Sequence, residues 1–87
     1  MTITLTTPDW LALRGGELRQ GLGEDTWVML LNGQPQYRLD AVPAEGKFTC
    51  AIVEAVSGRR LDEGKEYPTP TDALRGGLEE LRAKLGW

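Results

Sequence analysis

The sequence predicts an α+β fold: a two-layer domain in which one C-terminal amphipathic helix packs on an antiparallel β-meander of four or five strands. Three observations predict it: a capped, leucine-striped helix at residues 69–87, apolar segments of strand type before it, and turns rich in glycine and proline between them. The 87 residues show no internal repeat and no linker. We therefore expect a single domain over residues 1–87.

The C-terminal helix carries signals at both of its ends. Thr69 suits the N-cap, Pro70 suits the first helical position, and Gly86 suits a left-handed C-cap. Four leucines recur between them at helical spacing and form one apolar stripe: Leu74, Leu78, Leu81 and Leu85. This stripe needs an apolar partner, which the strands before it can supply.

Two glycines, Gly76 and Gly77, lie beside the leucine stripe. Each costs a helix about 1 kcal/mol relative to alanine, so their presence calls for a reason. We interpret them as the place where the helix approaches the sheet closely, over Trp27 or Phe48. A groove for a ligand or for a partner's backbone is the alternative.

Three central segments have the composition of strands: residues 26–31, 36–42 and 47–55. The first is apolar on both faces, as a central strand would be. The other two alternate, with Tyr37, Leu39 and Ala41 on one face of the second segment and Phe48, Cys50 and Ile52 on one face of the third. Turns are expected at 32–35, as a loop of two or four residues, and at 43–46 and 57–58. Residues 59–61 are expected to pair with 65–67.

The first 20 residues give weaker signals. Residues 2–6 alternate and predict a short first strand. Residues 10–14 and 17–20 flank Gly15-Gly16, which favours a hairpin, and a short helical turn over residues 8–13 is the alternative.

One face of the predicted sheet lies away from the helix. It would carry Val28, Leu30, Ala51 and Val53, which are too apolar to leave in water. Either the N-terminal segment with Trp10 and Leu11 or a second copy of the chain should cover it.

Composition excludes several classes of function. Histidine is absent and Cys50 is the single cysteine, so the commonest general base, the commonest metal ligand and any internal disulfide are missing. The net charge of −3 argues against binding to nucleic acid or anionic lipid. The longest apolar run, residues 28–31, is far too short to cross a membrane. The N-terminus has no signal-peptide pattern. We therefore predict a cytoplasmic protein that is not an enzyme and has no cofactor, metal or membrane partner.

Two polar stretches provide a possible binding surface. Asn32, Gln34 and Gln36 lie beside Tyr37 and could hydrogen-bond a peptide or a small ligand, although the same composition suits an ordinary turn. Arg59 and Arg60 could join Arg38, and also Arg14 and Arg19, as a small anion site. The alternative is a solvated turn in which Asp62, Glu63 and Glu66 neutralise the arginines.

Two resemblances accompany these patterns. Residues 26–39, 46–50 and 76–87 resemble short bacterial proteins that have no assigned activity. The β-β-β-α order, with Gly46-Lys47-Phe48-Thr49 and the helix start at 67–74, resembles the layout of the HicB-like antitoxin domain. Residues 52–58 differ from the Pro–Gly pattern of that family. The second resemblance implies a regulatory module that binds protein.

These observations together predict a small interaction or regulatory module that binds a protein partner or a second copy of itself. A nucleic-acid-binding domain that uses the sheet face with Arg38, Arg59 and Arg60 is the alternative.

Overall fold

The computed structural model describes residues 5–23 and 25–87, and within them the strands form one antiparallel sheet in the order β1-β2-β3-β4-β5. The predicted α+β meander with a C-terminal helix is therefore confirmed. The elements in chain order are α1 (Asp9–Ala12), β1 (Gly16–Gln20), β2 (Thr26–Leu31), β3 (Gln34–Ala44), β4 (Lys47–Glu54), β5 (Glu66–Tyr67) and α2 (Pro70–Leu85).

Helix α2 begins and ends where the sequence predicts. The Thr69 hydroxyl accepts a hydrogen bond of 3.1 Å from the Asp72 N–H, which satisfies a backbone donor of the first turn. Gly86 takes a left-handed conformation with φ of 72°, and its N–H donates to the Ala83 carbonyl. The Trp87 N–H donates to the Arg82 carbonyl, so the chain folds back on the last turn.

The leucine stripe of α2 packs on the face formed by β3, β4 and β5. Leu74 and Leu81 are completely buried, as are Leu39 and Ile52 beneath them. One hydrophobic cluster results, and its buried members are Leu11, Leu18, Trp27, Met29, Leu39, Ala41, Cys50, Ile52, Ala73, Leu74, Leu78 and Leu81. Burial of such side chains is worth about 1.5–3 kcal/mol each and is the main source of the fold's stability.

The two helix glycines do mark a close approach, as predicted, but over different residues. A Cβ atom on Gly77 would overlap the Sγ and Cβ atoms of Cys50, and one on Gly76 would overlap the ring of Tyr67. The expected partners Trp27 and Phe48 are wrong: Gly77 lies over Cys50, two residues after Phe48 on β4, and Gly76 lies over Tyr67, the register partner of Phe48 on β5. The absence of both side chains lets the helix backbone approach the sheet.

The predicted hairpin around Gly15-Gly16 is wrong, and the alternative of a short helical turn is correct. Helix α1 follows Pro8 and buries Leu11 completely in the core, against Gly16. Gly15, with φ of 72°, then reverses the chain into β1. The strand predicted over residues 2–6 falls partly outside the described residues, and Leu5 and Thr6 belong to no strand.

The remaining turns refine the predicted pairing. Asn32 and Gly33, with φ of 53° and 79°, form a two-residue turn, and Pro35 already lies in β3 beside a register shift. The predicted pairing of residues 59–61 with 65–67 is wrong. Both stretches pair with β4, through an Arg60–Val53 bridge and through β5. They extend the sheet because the edge of β4 offers backbone partners to each.

We expect Gly77→Ala to lower the free energy of unfolding by about 1–2 kcal/mol. The methyl group meets Cys50 on a fixed strand, and this overpacking outweighs the gain in helix propensity. Gly76→Ala is the control and should lie within about 0.5 kcal/mol of the parent, because the end of the half-buried Tyr67 ring can move aside. Urea unfolding monitored by circular dichroism measures both. A Gly77→Ala protein as stable as the parent would contradict the close approach.

Candidate functional site

The sheet face turned away from α2, which we call the outer face, carries the candidate site. Trp10 and Leu11, which were expected to cover it, lie elsewhere. Leu11 belongs to the core on the α2 side, and the Trp10 ring lies 6.2 Å from that of Trp87. The Arg82 guanidinium lies 5.5 Å from the centre of the Trp10 ring, which ties this segment to α2. The expectation that Trp10 and Leu11 cover the outer face is therefore wrong.

The strand register places three arginines and two valines in one line across the outer face. Val28 pairs with Arg19 on one side and with Arg38 on the other, and Val53 pairs with Arg38 and Arg60. We call this line the arginine row. Because neighbouring strands lie about 4.8 Å apart, successive arginines are spaced by about 10 Å.

Each arginine of the row forms an ion pair with a carboxylate two residues away in the chain. The Arg19–Glu17 and Arg38–Asp40 pairs each have a nitrogen–oxygen distance of 2.9 Å. Arg60 binds Asp62 through two hydrogen bonds of 2.6 and 2.8 Å. Opposite charges at this spacing share one face of a strand, so the row is neutralised from within the chain.

Asp40 and Asp62 lie on the same side of the arginine row, and we call them the carboxylate row. Asp40 pairs in register with Ala51 and accepts a hydrogen bond of 2.6 Å from the Thr26 hydroxyl. Asp62 accepts one of 3.1 Å from the backbone N–H of Ile52. Both carboxylates are thus held in place by the sheet itself.

Asp62 also fixes the connection between β4 and β5. Its side chain is 8% exposed, and the hydrogen bonds from Arg60 and Ile52 favour its charged form. They lower the pKa of the Asp62 carboxyl to about 2. The irregular segment before β5 is therefore attached to the edge of β4 by a carboxylate that stays ionised at any ordinary pH.

The apolar part of the outer face is smaller than the sequence suggested. Leu30 and Ala51 are only 6% and 7% exposed although both lie outside the main core cluster. Leu30 is flanked in register by Glu17 and Pro35. Val28 and Val53 remain half-buried and keep part of their surface in water.

Two shallow depressions, each of about 480 Å³, lie on either side of Val28 and Arg38. Thr26, Asp40 and the fully exposed Leu22 line the first, together with Gly21 and Gly23. The second is lined by Pro35, Tyr37, Val53, Glu54, Ala55 and Gly58. The outer face therefore has open depressions and no closed pocket among the described residues.

The structure brings together only part of the predicted binding surface. Arg38 and Arg60 lie in the arginine row with Arg19. Arg14 is separated from them and lies 4.7 Å from the centre of the Trp87 ring. Arg59 is part of the turn after β4, where its carbonyl accepts the Glu54 N–H.

The three polar residues predicted near Tyr37 lie at one end of the sheet. Asn32 forms the β2–β3 turn, and Gln34 and Gln36 lie in the first part of β3. The carboxylate row was missed as a unit. Its signal in the sequence is an arginine followed two residues later by an aspartate, at 38/40 and 60/62.

Cys50 is buried beneath α2, as its place among apolar residues predicted. Burial raises the pKa of its thiol to about 12, so the thiol stays protonated at neutral pH and is a poor nucleophile.

Among residues 5–23 and 25–87, no cluster of carboxylate and thiol groups could hold a metal ion. Within the same residues, no helix is long and apolar enough to cross a membrane.

No protein-family model matches this chain, and no curated protein or solved structure is significantly similar to it.

We expect Asp62→Asn to lower the free energy of unfolding by about 1–2 kcal/mol at pH 7, since a charged acceptor for Arg60 and Ile52 is lost. The pKa of Asp62 is lowered on folding, so its stabilisation is complete above its ordinary value of 3.8 and disappears as the pH falls towards 2. The parent and the variant should converge over that range. Urea titrations between pH 7 and 2 measure this.

The matched control is Glu66→Gln, an exposed carboxylate on β5, which should change the free energy of unfolding by less than about 0.5 kcal/mol. A constant difference between the parent and Asp62→Asn down to pH 2 would show that the ionised carboxylate is not the stabilising group.

Proposed function

We propose that this chain is a small non-enzymatic interaction module of the cytoplasm, and that its partner is a second copy of the chain bound on the outer face. The observation that carries this proposal is the composition of that face. Part of Val28 and of Val53 is exposed at its centre, and no described element lies over them. A protein surface is the partner that suits such a mixture of valine and paired charge.

The charges of the outer face favour a second copy over an unrelated partner. The arginine row contributes three positive charges, and Glu17, Asp40 and Asp62 contribute three negative ones. Lys47 and Glu66, which the register places on the same face, add one charge of each sign. Two identical faces of this kind have no net repulsion, although the whole chain carries a charge of −3. A strongly basic or strongly acidic partner would gain little from such a face.

The size of the face predicts weak association. Five strands at about 4.8 Å spacing, with an average length of about 20 Å, give roughly 500 Å² per copy. The total of about 1,000 Å² is at the low end for specific interfaces. We therefore expect the dimer to dissociate on dilution, as suits a regulatory rather than a permanent contact.

Nucleic-acid binding is the second candidate, and the arginine row is the observation that favours it. Two features favour a protein partner instead. Each arginine already binds a carboxylate, and four large aromatic side chains belong to the core or pack against it, with Tyr37 also bordering one depression of the outer face: Trp27, Tyr37, Phe48 and Tyr67. The face therefore lacks the stacking platform with which sheets bind single strands. The HicB-like layout, which implies a regulatory module that binds protein, agrees with the first proposal.

We expect the parent chain to form a concentration-dependent dimer, and Val53→Glu to abolish it. The new carboxylate can lie between Arg38 and Arg60 within one chain, so the fold is kept, but a second copy would bury it. Val56→Glu is the matched control, because Val56 is 86% exposed in the turn after β4. Light scattering after size exclusion, at chain concentrations from micromolar to millimolar, gives the mass relative to the 9.6 kDa chain.

A parent chain that is monomeric throughout this range would refute self-association. Dimers of equal strength in the parent and in Val53→Glu would place the interface elsewhere. Retardation of a labelled oligonucleotide by the parent at low salt, lost in a variant without Arg38, would favour the second candidate.

A further inference from the structure

The arrangement of charges on the outer face also defines how two copies would be oriented. Building on the proposed self-association, we infer that the two outer faces stack about a two-fold axis parallel to the arginine row. This axis lies between the arginine row and the carboxylate row. Arg38 and Arg60 of each copy then face Asp40 and Asp62 of the other.

The geometry follows from the two rows. Arg38 and Asp40 lie on β3, two residues apart, and Arg60 and Asp62 have the same spacing beside β4. Residues two apart on a strand are separated by about 6.8 Å, so the two rows run side by side across the sheet. Rotation about the line between them exchanges the rows and leaves each strand opposite itself. Every arginine–carboxylate pair beside that line therefore meets the same pair in reverse.

The uncharged residues of the two rows are also compatible in this orientation. Val28 would face Thr26 of the second copy, and Val53 would face Ala51 of the second copy. A valine against a small residue lets two sheets approach to the usual separation of about 10 Å. The ion pairs within each chain persist and become four-charge clusters that gain a second partner.

A two-fold axis that lies in the interface but runs perpendicular to the rows would bring like charges together. Because β3 is the middle strand, that axis would place Arg38 against Arg38 and Asp40 against Asp40 of the second copy. Like charges would meet in both places, at a cost that an interface of this size cannot offset. The parallel axis is therefore the one that the charges permit.

Arg19 provides an internal control. Gly21 follows Arg19 by two positions and lies level with the carboxylate row, just after the end of β1. Arg19 therefore has no carboxylate to face in the second copy. It keeps its partner Glu17 on the opposite side of the row. Charge reversal at Arg19 should therefore affect association far less than charge reversal at Arg38.

The test is a charge exchange between copies. Arg38→Glu and Asp40→Arg, each alone, should weaken self-association at least about tenfold, because each places like charges together. An equimolar mixture should recover a dimer of one copy of each. The two substituted side chains then face each other with opposite charges, and the unchanged Asp40 of one copy faces the unchanged Arg38 of the other. Analytical ultracentrifugation measures the affinity, and native mass spectrometry identifies the mixed dimer. Arg19→Glu should associate like the parent.

Three outcomes would overturn the orientation. Arg38→Glu could pair with the parent rather than with Asp40→Arg, which would indicate the perpendicular axis. The mixture could fail to associate although both variants give the parent circular dichroism spectrum. Association of the parent could also remain unchanged between 50 and 500 mM salt, a range over which exposed ion pairs are largely screened; this measurement needs no variant. All three leave the proposed dimer intact, whereas a monomeric parent refutes the dimer itself.

Discussion

The close packing of α2 on β4 is the contact on which the rest of the structure depends. Gly77 has no side chain, so its backbone lies directly over Cys50, and the leucines on either side reach the sheet. A helix of 16 residues is about 24 Å long and about 10 Å wide, and α2 covers β3, β4 and β5 but leaves the β1 and β2 side of the same face open. Helix α1 and the Trp10–Trp87 contact fill that remainder.

This use of the N-terminal segment decides the state of the outer face. A chain of this size has few elements, and the described ones are committed to the α2 side. No described element therefore covers the outer face. Three ion pairs within the chain lie among its apolar residues. Arginine stems can shield valine and leucine while their charged ends stay in water, which reduces the apolar surface of this face.

Asp62 connects the stability of the fold with the interface proposed for two copies. The same carboxylate holds the segment before β5 against the backbone of Ile52 and gives the outer face one of its negative charges. A group that is fixed by its own fold is already ordered before a partner arrives, so little conformational entropy is lost on association. The interface proposed for two copies therefore uses charges that the monomer has already positioned.

The sequence by itself determined the elements whose signals are local. The caps of α2 at Thr69 and Gly86, its leucine stripe, and the alternation of β3 and β4 could all be predicted because capping and periodicity depend on near neighbours. The segment at residues 8–20 was decided by tertiary structure, since burial of Leu11 in the core outweighed the turn preference of Gly15-Gly16. The contacts of Gly77 and Gly76 with Cys50 and Tyr67 depend on where α2 crosses the sheet, which no local pattern specifies. The same distinction holds for the candidate site. The sequence alone shows that each arginine and its carboxylate are two residues apart. Their alignment into two rows exists only because the strand register places β1, β2, β3, β4 and residue 60 side by side.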